Sequence, residues 1–397
     1  MLIAQNIFYM LGKNKNPWLV LVAFMIAHGV NDGFGWIIPP LLPFIREHFN
    51  LSYAEMGGIF SIFRFTSGIP QAPASWLVNL FPASSVLTAG LLWSSFGMFL
   101  VSLSTSYVAL LWLSAISGFG CATYHPLSVT ILSRVFSRDR LGRAIGLHLS
   151  GSGVGMVVAP FLVGLLVTRF SWRLPLQIWS GMGLLTGFGL IFFLHHRQKE
   201  VNPEIRKFQW PFFSRPLLTY LMSSSIWGIG QGGILTFVVL FLVDRRGFQP
   251  ESAAAAFGLM SLAGLVCRPF LGAMMDRMGR RKPIIITGYV ISAISILALV
   301  YITHKWLIYL PMILMGIFGL GHSGLADTFM IESIPSLRRE ATLGFVFTVR
   351  MGISATSPLI IGILAEWIQI ENAFLVLSTL GMVAAIIISF AEEKPVD

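Results

Sequence analysis

From Pro17 onward the chain is a succession of long apolar runs separated by short polar intervals. The runs show neither strict alternation nor one clean polar face, which is the pattern of helices buried or lipid-facing on all sides. Runs of 18 or more apolar residues read as membrane spans. Twelve are expected, at 17–45, 53–75, 83–104, 107–133, 143–169, 174–195, 214–243, 252–274, 283–303, 306–331, 341–366 and 371–391. In lipid every backbone polar group must be satisfied within the protein, which leaves helices or closed barrels. Barrel strands alternate over roughly 10 residues, and these runs are longer and continuously apolar. The expected fold class is an all-α membrane protein.

The longest charged interval, HRQKEVNPEIRKFQW at 196–210, falls between spans six and seven. It divides the chain into an N-terminal six-helix half (1–195), a cytoplasmic linker (196–213) and a C-terminal six-helix half (214–397). GLHLSGSGVGMVVAPFLVG at 146–164 matches GFVFTVRMGISATSPLIIG at 344–362. Gly146, Pro160 and Gly164 align with Gly344, Pro358 and Gly362 at a constant offset of 198. An internal repeat of six spans marks transporters whose substrate site lies near the midplane between the repeats.

Composition sharpens this picture. Only 11% of the residues are charged, against about 25% in a soluble domain. The net charge of +10 does not point to nucleic acid, because the basic residues sit in the intervals between spans. With the N-terminus inside, the inner segments hold 18 Lys and Arg and the outer segments 6. This bias places both termini in the cytoplasm. The N-terminal segment lacks a basic residue before its short apolar stretch and a small-residue cleavage site, so it is not read as a cleaved signal. Cys121 and Cys267 fall inside spans and define neither a disulfide framework nor a metal motif. The chain has no Walker loop and no His-Glu-x-x-His, and its two Gly-x-Gly-x-x-Gly matches (Gly228–Gly233, Gly319–Gly324) lie within apolar helices rather than after strands. No enzyme activity, cofactor, metal or nucleic acid is expected.

Polar groups at membrane depth carry the chemistry, since an ionisable side chain there is costly and normally faces a cavity or a partner. In span one, His28 and Asp32 are i,i+4 neighbours flanked by Asn31. Arg64 lies mid-span two and His125 in span four. Asp32 is expected to bind and release a proton with His28 tuning or relaying it, and Arg64 is expected to pair with the deprotonated Asp32. Asn31, Arg64, His125, Trp227 and Gln231 are candidate substrate contacts. Asp327 and Arg350 are expected to form a structural pair. Arg268, counted near the inner end of span eight, is expected to snorkel. In span five Gly151, Gly155 and Ala159 give a close-packing face, and Pro160 is expected to bend the helix.

The sharpest motif is GAMMDRMGRRK at 272–282. Gly272 suits close helix approach, Asp276 can cap or pair, Gly279 permits a tight turn, and Arg277 and Arg280 stay in the cytosol. It resembles the loop signature of the major facilitator superfamily, where the loop latches the cytoplasmic side. The corresponding first-half segment, SWLVNLFPASS at 75–85, has no charge, and Asn79 stands where the aspartate would be. Within that superfamily the first half resembles the fosmidomycin-resistance group, through HGVND at 28–32, LLPFIREHFNLSYAEMG at 41–57, FRFTSGIPQAPASWLVNLFP at 63–82 and GFGCATYHP at 118–126. The group's His-Pro is often followed by an acidic residue, where this chain has Leu127. The resemblance implies two pseudo-symmetric six-helix halves and a monomer in a bacterial inner membrane. It also implies proton-coupled export of a small molecule by alternating access. The same cavity could serve a proton-coupled importer or facilitator of a small metabolite.

Overall fold

The computed structural model describes residues 16–77, 80–194, 210–335 and 338–393. Asn79 and residues 196–209 of the linker lie outside them.

The first span starts where sequence chemistry favours it. Asn16 Oδ1 accepts from the Trp18 amide, and Pro17 occupies the first turn, where its missing N–H costs nothing. This helix, α1 (Pro17–Trp36), is offset at Ile37 from α2 (Ile38–Phe49). Pro39 and Pro40 remove two amide donors at that junction. Ser52 and Glu55 form a capping box that opens α3 (Tyr53–Gly68). Next come α4 (Gln71–Trp76), α5 (Ala83–Ser102), α6 (Tyr107–Cys121), α7 (Tyr124–Val135), α8 (Arg138–Leu166) and α9 (Arg173–Leu194). After the linker follow α10 (Arg215–Arg246), α11 (Pro250–Met278), α12 (Lys282–Tyr301) and α13 (Lys305–Leu314). A π-helical stretch (Met315–Leu320) precedes α14 (Ser323–Glu332), α15 (Arg339–Ile368) and α16 (Ile370–Ser389). Two C-terminal ends, α10 and α11, close on glycines in the left-handed region, Gly247 and Gly279.

Among the described residues, ten helices are long and apolar enough to cross a membrane. Of the twelve expected spans, one and four are jointed at Ile37 and at Ala122–Thr123, and two others are divided into shorter helices. Span two is broken at Pro70 into α3 and α4, and span ten into α13, the π stretch and α14. In the π stretch the Gly321 amide donates to Gly316 O, five residues back, and the Gly319 carbonyl instead accepts from Gln231 Nε2 at 2.8 Å. Pro160, by contrast, lies inside an α8 that continues unbroken through it.

Large apolar side chains such as Trp93, Leu185 and Phe270 point outward. On helices of this composition such an exposed apolar surface faces lipid; the chain is a multi-pass membrane protein. Inside, small residues set the closest contacts. A Cβ on Gly155 would sit 2.0 Å from Gly29 O, and one on Gly57 would sit 2.1 Å from Pro358 O. Glycines at these points let α1 lie directly on α8, and α3 on α15. The predicted first six spans also meet the last six along α8 and α11.

One face of the bundle is tied across that division by polar contacts. Asp244 at the end of α10 accepts from Arg46 Nη1 at 2.5 Å and from the Tyr53 hydroxyl at 2.6 Å. Glu366 Oε1 accepts from the Ala54 amide at 2.8 Å. At the other face Arg281 gathers Asp276 (2.9 Å) and Glu332 (3.1 Å) without leaving its own segment of chain.

Candidate functional site

The contact of α1 with α8 brings the polar residues of α1 against polar residues of α8. Asp32 faces inward from α1, and Ser152 of α8 donates to its Oδ2 at 2.5 Å. Asn31 Nδ2 donates to Oδ1 at 3.1 Å. Two imidazoles flank the same carboxylate: His28 Nε2 lies 3.4 Å from Oδ2, and His125 Nε2, from α7, lies 3.2 Å from Oδ1. His28 is fully buried, whereas the His125 side chain is 41% exposed and opens onto a cavity.

The orientation of His28 is fixed from behind. Its Nδ1 is 3.0 Å from the carbonyl oxygen of His148. A carbonyl only accepts, so Nδ1 carries the hydrogen. In a neutral His28 the remaining lone pair, on Nε2, therefore faces the Asp32 carboxylate. Two acceptors facing each other at 3.4 Å repel unless a positive charge lies between them. The His148 ring stacks on that of His28 with centroids 4.3 Å apart, and its Nε2 is 3.2 Å from Ser128 Oγ. The Tyr124 hydroxyl donates to Phe24 O at 2.5 Å and closes the back of the cluster.

In front of Asp32 lies a cavity of about 320 Å³, whose polar lining includes Asn31, Asp32, Arg64, His125, Gln231 and Arg268. The expected pairing of Arg64 with Asp32 is not present. Arg64 Nη2 donates to Ser354 Oγ of α15 at 3.1 Å, and the guanidinium sits 5.6 Å from the Phe60 ring. Asp32 is already satisfied by Ser152, Asn31 and the imidazoles, which leaves Arg64 to reach across to α15.

Arg268 is also corrected. It lies ten residues before the end of α11, about 15 Å along the axis, and borders the cavity rather than reaching the interface. Its Nη2 is 3.5 Å from Leu320 O, and its Nε has no partner in the structure. Among the described residues neither Arg64 nor Arg268 has a carboxylate within 4.0 Å.

Trp227 does not line this cavity. It is packed against Tyr289 (5.0 Å between centroids) and His322 (5.9 Å), behind Gln231. Asp327 Oδ1 lies 2.5 Å from Arg350 Nη1 and accepts from the Tyr220 hydroxyl at 2.6 Å. At the loop motif Gly279 has φ of 59°, and the side chains of Arg277 and Arg280 are exposed. Asp276 pairs instead with Arg281, whose hydrogen bonds to Glu332 hold its pKa above the ordinary arginine value. Gly272 is half-buried two turns before that end.

The residues missed in the sequence were His148, Ser152 and Arg268 around the site and Arg281 at the loop. His148 and Ser152 do carry a signal in the sequence: they lie on either side of Gly151, beside the close-packing residues of span five.

Comparison with known proteins agrees with this architecture. The family model described as Major Facilitator Superfamily matches residues 24–277 and 247–397. The fosmidomycin resistance protein of Escherichia coli (strain K12) is 21% identical over 97% of this chain and 96% of its own length. The D-galactonate transporter of Escherichia coli O6:H1 is 22% identical over 86% of this chain and 87% of its own. Among solved structures, a bacterial homologue of the human lysosomal transporter Spinster, in an inward-facing and occupied conformation, superposes with a TM-score of 0.79 at 15% identity. It covers 96% of this chain and 97% of the other.

Proposed function

The chain belongs to the Major Facilitator Superfamily and transports small molecules across a membrane, and from that premise we propose that its cargo is a small organic anion moved together with a proton. The observation that carries this reading is the pair of arginines, Arg64 and Arg268, bordering one cavity with Asp32 and lacking carboxylate partners among the described residues. A planar guanidinium is suited to carboxylate recognition. An anion entering that space is attracted by the arginines and repelled by a deprotonated Asp32. Protonating the Asp32–His28–His125 cluster removes the repulsion. Proton and anion therefore favour each other's binding, which is the sign of coupling required for symport. Asn31 and Gln231 supply neutral hydrogen-bonding groups at the cavity wall. The D-galactonate transporter, whose named cargo is an anion of this kind, supports the same class.

In this reading residues 1–195 and 214–397 form two halves that rock about the cavity, and the Arg46–Tyr53–Asp244 contacts seal the outer face. The cytoplasmic Asp276–Arg281–Glu332 cluster stays within one half, so the cavity opens inward. Both termini lie in the cytoplasm of a bacterial inner membrane, and one chain suffices.

Proton-coupled export is the second reading. It is favoured by HGVND and by the full-length similarity to the fosmidomycin resistance protein. Purified protein in proteoliposomes distinguishes the two. Uptake of radiolabelled D-galactonate and related sugar-acid anions is measured under imposed pH gradients of either sign. Symport predicts accumulation on the alkaline side, and exchange predicts accumulation on the acidic side. In either case Arg64→Ala and Arg268→Ala should each raise the half-saturating concentration at least about tenfold, or 1.4 kcal/mol. Wild-type half-saturation in both variants would remove the anion reading.

A further inference from the structure

We propose that His28, Asp32 and His125 form a binding site for one transition-metal dication of the zinc class. The inference concerns the same cavity as the transport reading but stands on separate observations. His28 Nε2, an Asp32 oxygen and His125 Nε2 all lie within 4.8 Å of one another. The two nitrogen–oxygen separations are 3.4 Å, from His28 to Oδ2, and 3.2 Å, from His125 to Oδ1, the two oxygens of one carboxylate. Ligand bonds of about 2.0–2.1 Å at tetrahedral angles put ligand atoms about 3.4 Å apart, so a dication would draw together three donor atoms that already lie within 4.8 Å of one another. Two imidazoles and one carboxylate are a donor set suited to zinc, cobalt or nickel.

The surroundings match what such a ligand set needs. His28 Nε2 is buried and has no hydrogen-bond partner, so its lone pair is aimed into the cluster. Its Nδ1–H is held by the His148 carbonyl at 3.0 Å, the outer contact that fixes the metal-binding tautomer. Ser152 and Asn31 hold the carboxylate in the same way. His125 and Asp32 face the cavity, which supplies an entry path and room for a water or an anionic group as fourth ligand. The lone-pair repulsion between His28 and Asp32 is relieved by any cation placed between them. A dication therefore competes with the coupling proton.

The test uses purified, untagged full-length protein in detergent, titrated with Co²⁺ and followed by its visible ligand-field absorption. One Co²⁺ per chain should bind, and Zn²⁺ should displace it. Asp32→Asn, His28→Gln and His125→Gln should each weaken Co²⁺ at least about tenfold, with thermal melts confirming folding. His125→Glu, which restores a ligand atom, should retain binding with an altered spectrum. Where a variant does not fold, protection of His125 from diethylpyrocarbonate by Zn²⁺ in the wild-type protein answers the same question. The absence of stoichiometric Co²⁺ binding, or undiminished binding in the folded variants, overturns the inference. Proton-driven uptake measured with chelator present is independent. Uptake without Co²⁺ binding sinks only the metal site, and Co²⁺ binding without proton-coupled uptake sinks only the coupling.

Discussion

Ser152→Ala removes the hydroxyl that donates to Asp32 Oδ2 at 2.5 Å. A hydrogen bond to a charged acceptor contributes about 1.5–3 kcal/mol, and one pH unit corresponds to 1.36 kcal/mol. Full loss would shift the balance by one to two units, and cavity water replacing part of the lost bond reduces this to about one unit. The sign follows from which form the hydroxyl serves. It stabilises the deprotonated carboxylate, so its removal favours the protonated form, and protons bind at a higher pH. The pH at which proteoliposome uptake is half-maximal should therefore rise by about one unit, while Ser152→Thr, which keeps the donor, leaves it in place. The assay is initial-rate uptake from pH 5 to 9 at equal pH on both sides, so that only binding-site protonation varies. An unchanged midpoint, or one displaced to lower pH, in folded Ser152→Ala protein would refute the placement of the titrating charge at Asp32.

Two further outcomes follow from the packing and from the Asp244 contacts with Arg46 and Tyr53. Gly155→Ala puts a methyl 2.0 Å from the Gly29 carbonyl oxygen, a backbone atom that cannot step aside. It should lower the stability by about 1–3 kcal/mol in a detergent thermal melt, while Gly189→Ala, with nothing within 4 Å, should not. Equal melting of the two would mean that α1 and α8 are not held by this contact. Asp244→Asn weakens the acceptor of Arg46 and Tyr53. Because the groups are one-quarter to one-third exposed, the loss is about 1 kcal/mol, roughly a fivefold shift toward a conformation open at that face. Maleimide labelling of Gly35→Cys, a cavity position, from that side should accelerate accordingly. An unchanged rate would show that the seal lies elsewhere.

What was legible in the sequence is what one helix or one loop determines by itself. His28 and Asp32 share a face because they are four residues apart. The long apolar runs announce their own helices, and Gly279 announces its turn. What was not legible depends on how helices cross. Depth alone pairs Arg64 with Asp32, but Asp32 is taken by Ser152, a residue it meets because Gly29 and Gly155 let two backbones nearly touch. Depth and a polar edge place Trp227 at the site, but it lies one turn before Gln231 on the same face of α10, at a level covered by Tyr289 and His322, and only Gln231 reaches the cavity. Arg268 lies deeper than its span suggests because α11 runs on four residues past the apolar stretch, to Met278. Spans two and ten looked continuous because breaks at Pro70 and in a π stretch leave hydropathy unchanged.

The π stretch has one more consequence. Its six residues, Met315–Leu320, hold the backbone with one residue more than an α-helical path of the same length requires. Rewinding it to α would turn everything beyond it by about 100° and advance it by about 1.5 Å. Asp327 rides on that downstream piece and is fastened to Arg350 of α15, and Gly319 is fastened to Gln231 of α10. The tenth span thus carries its extra residue between two fastenings, one on each neighbouring helix. Gln231, one of those fastenings, also borders the cavity, so drawing its amide away from Gly319 would free one end of the π stretch.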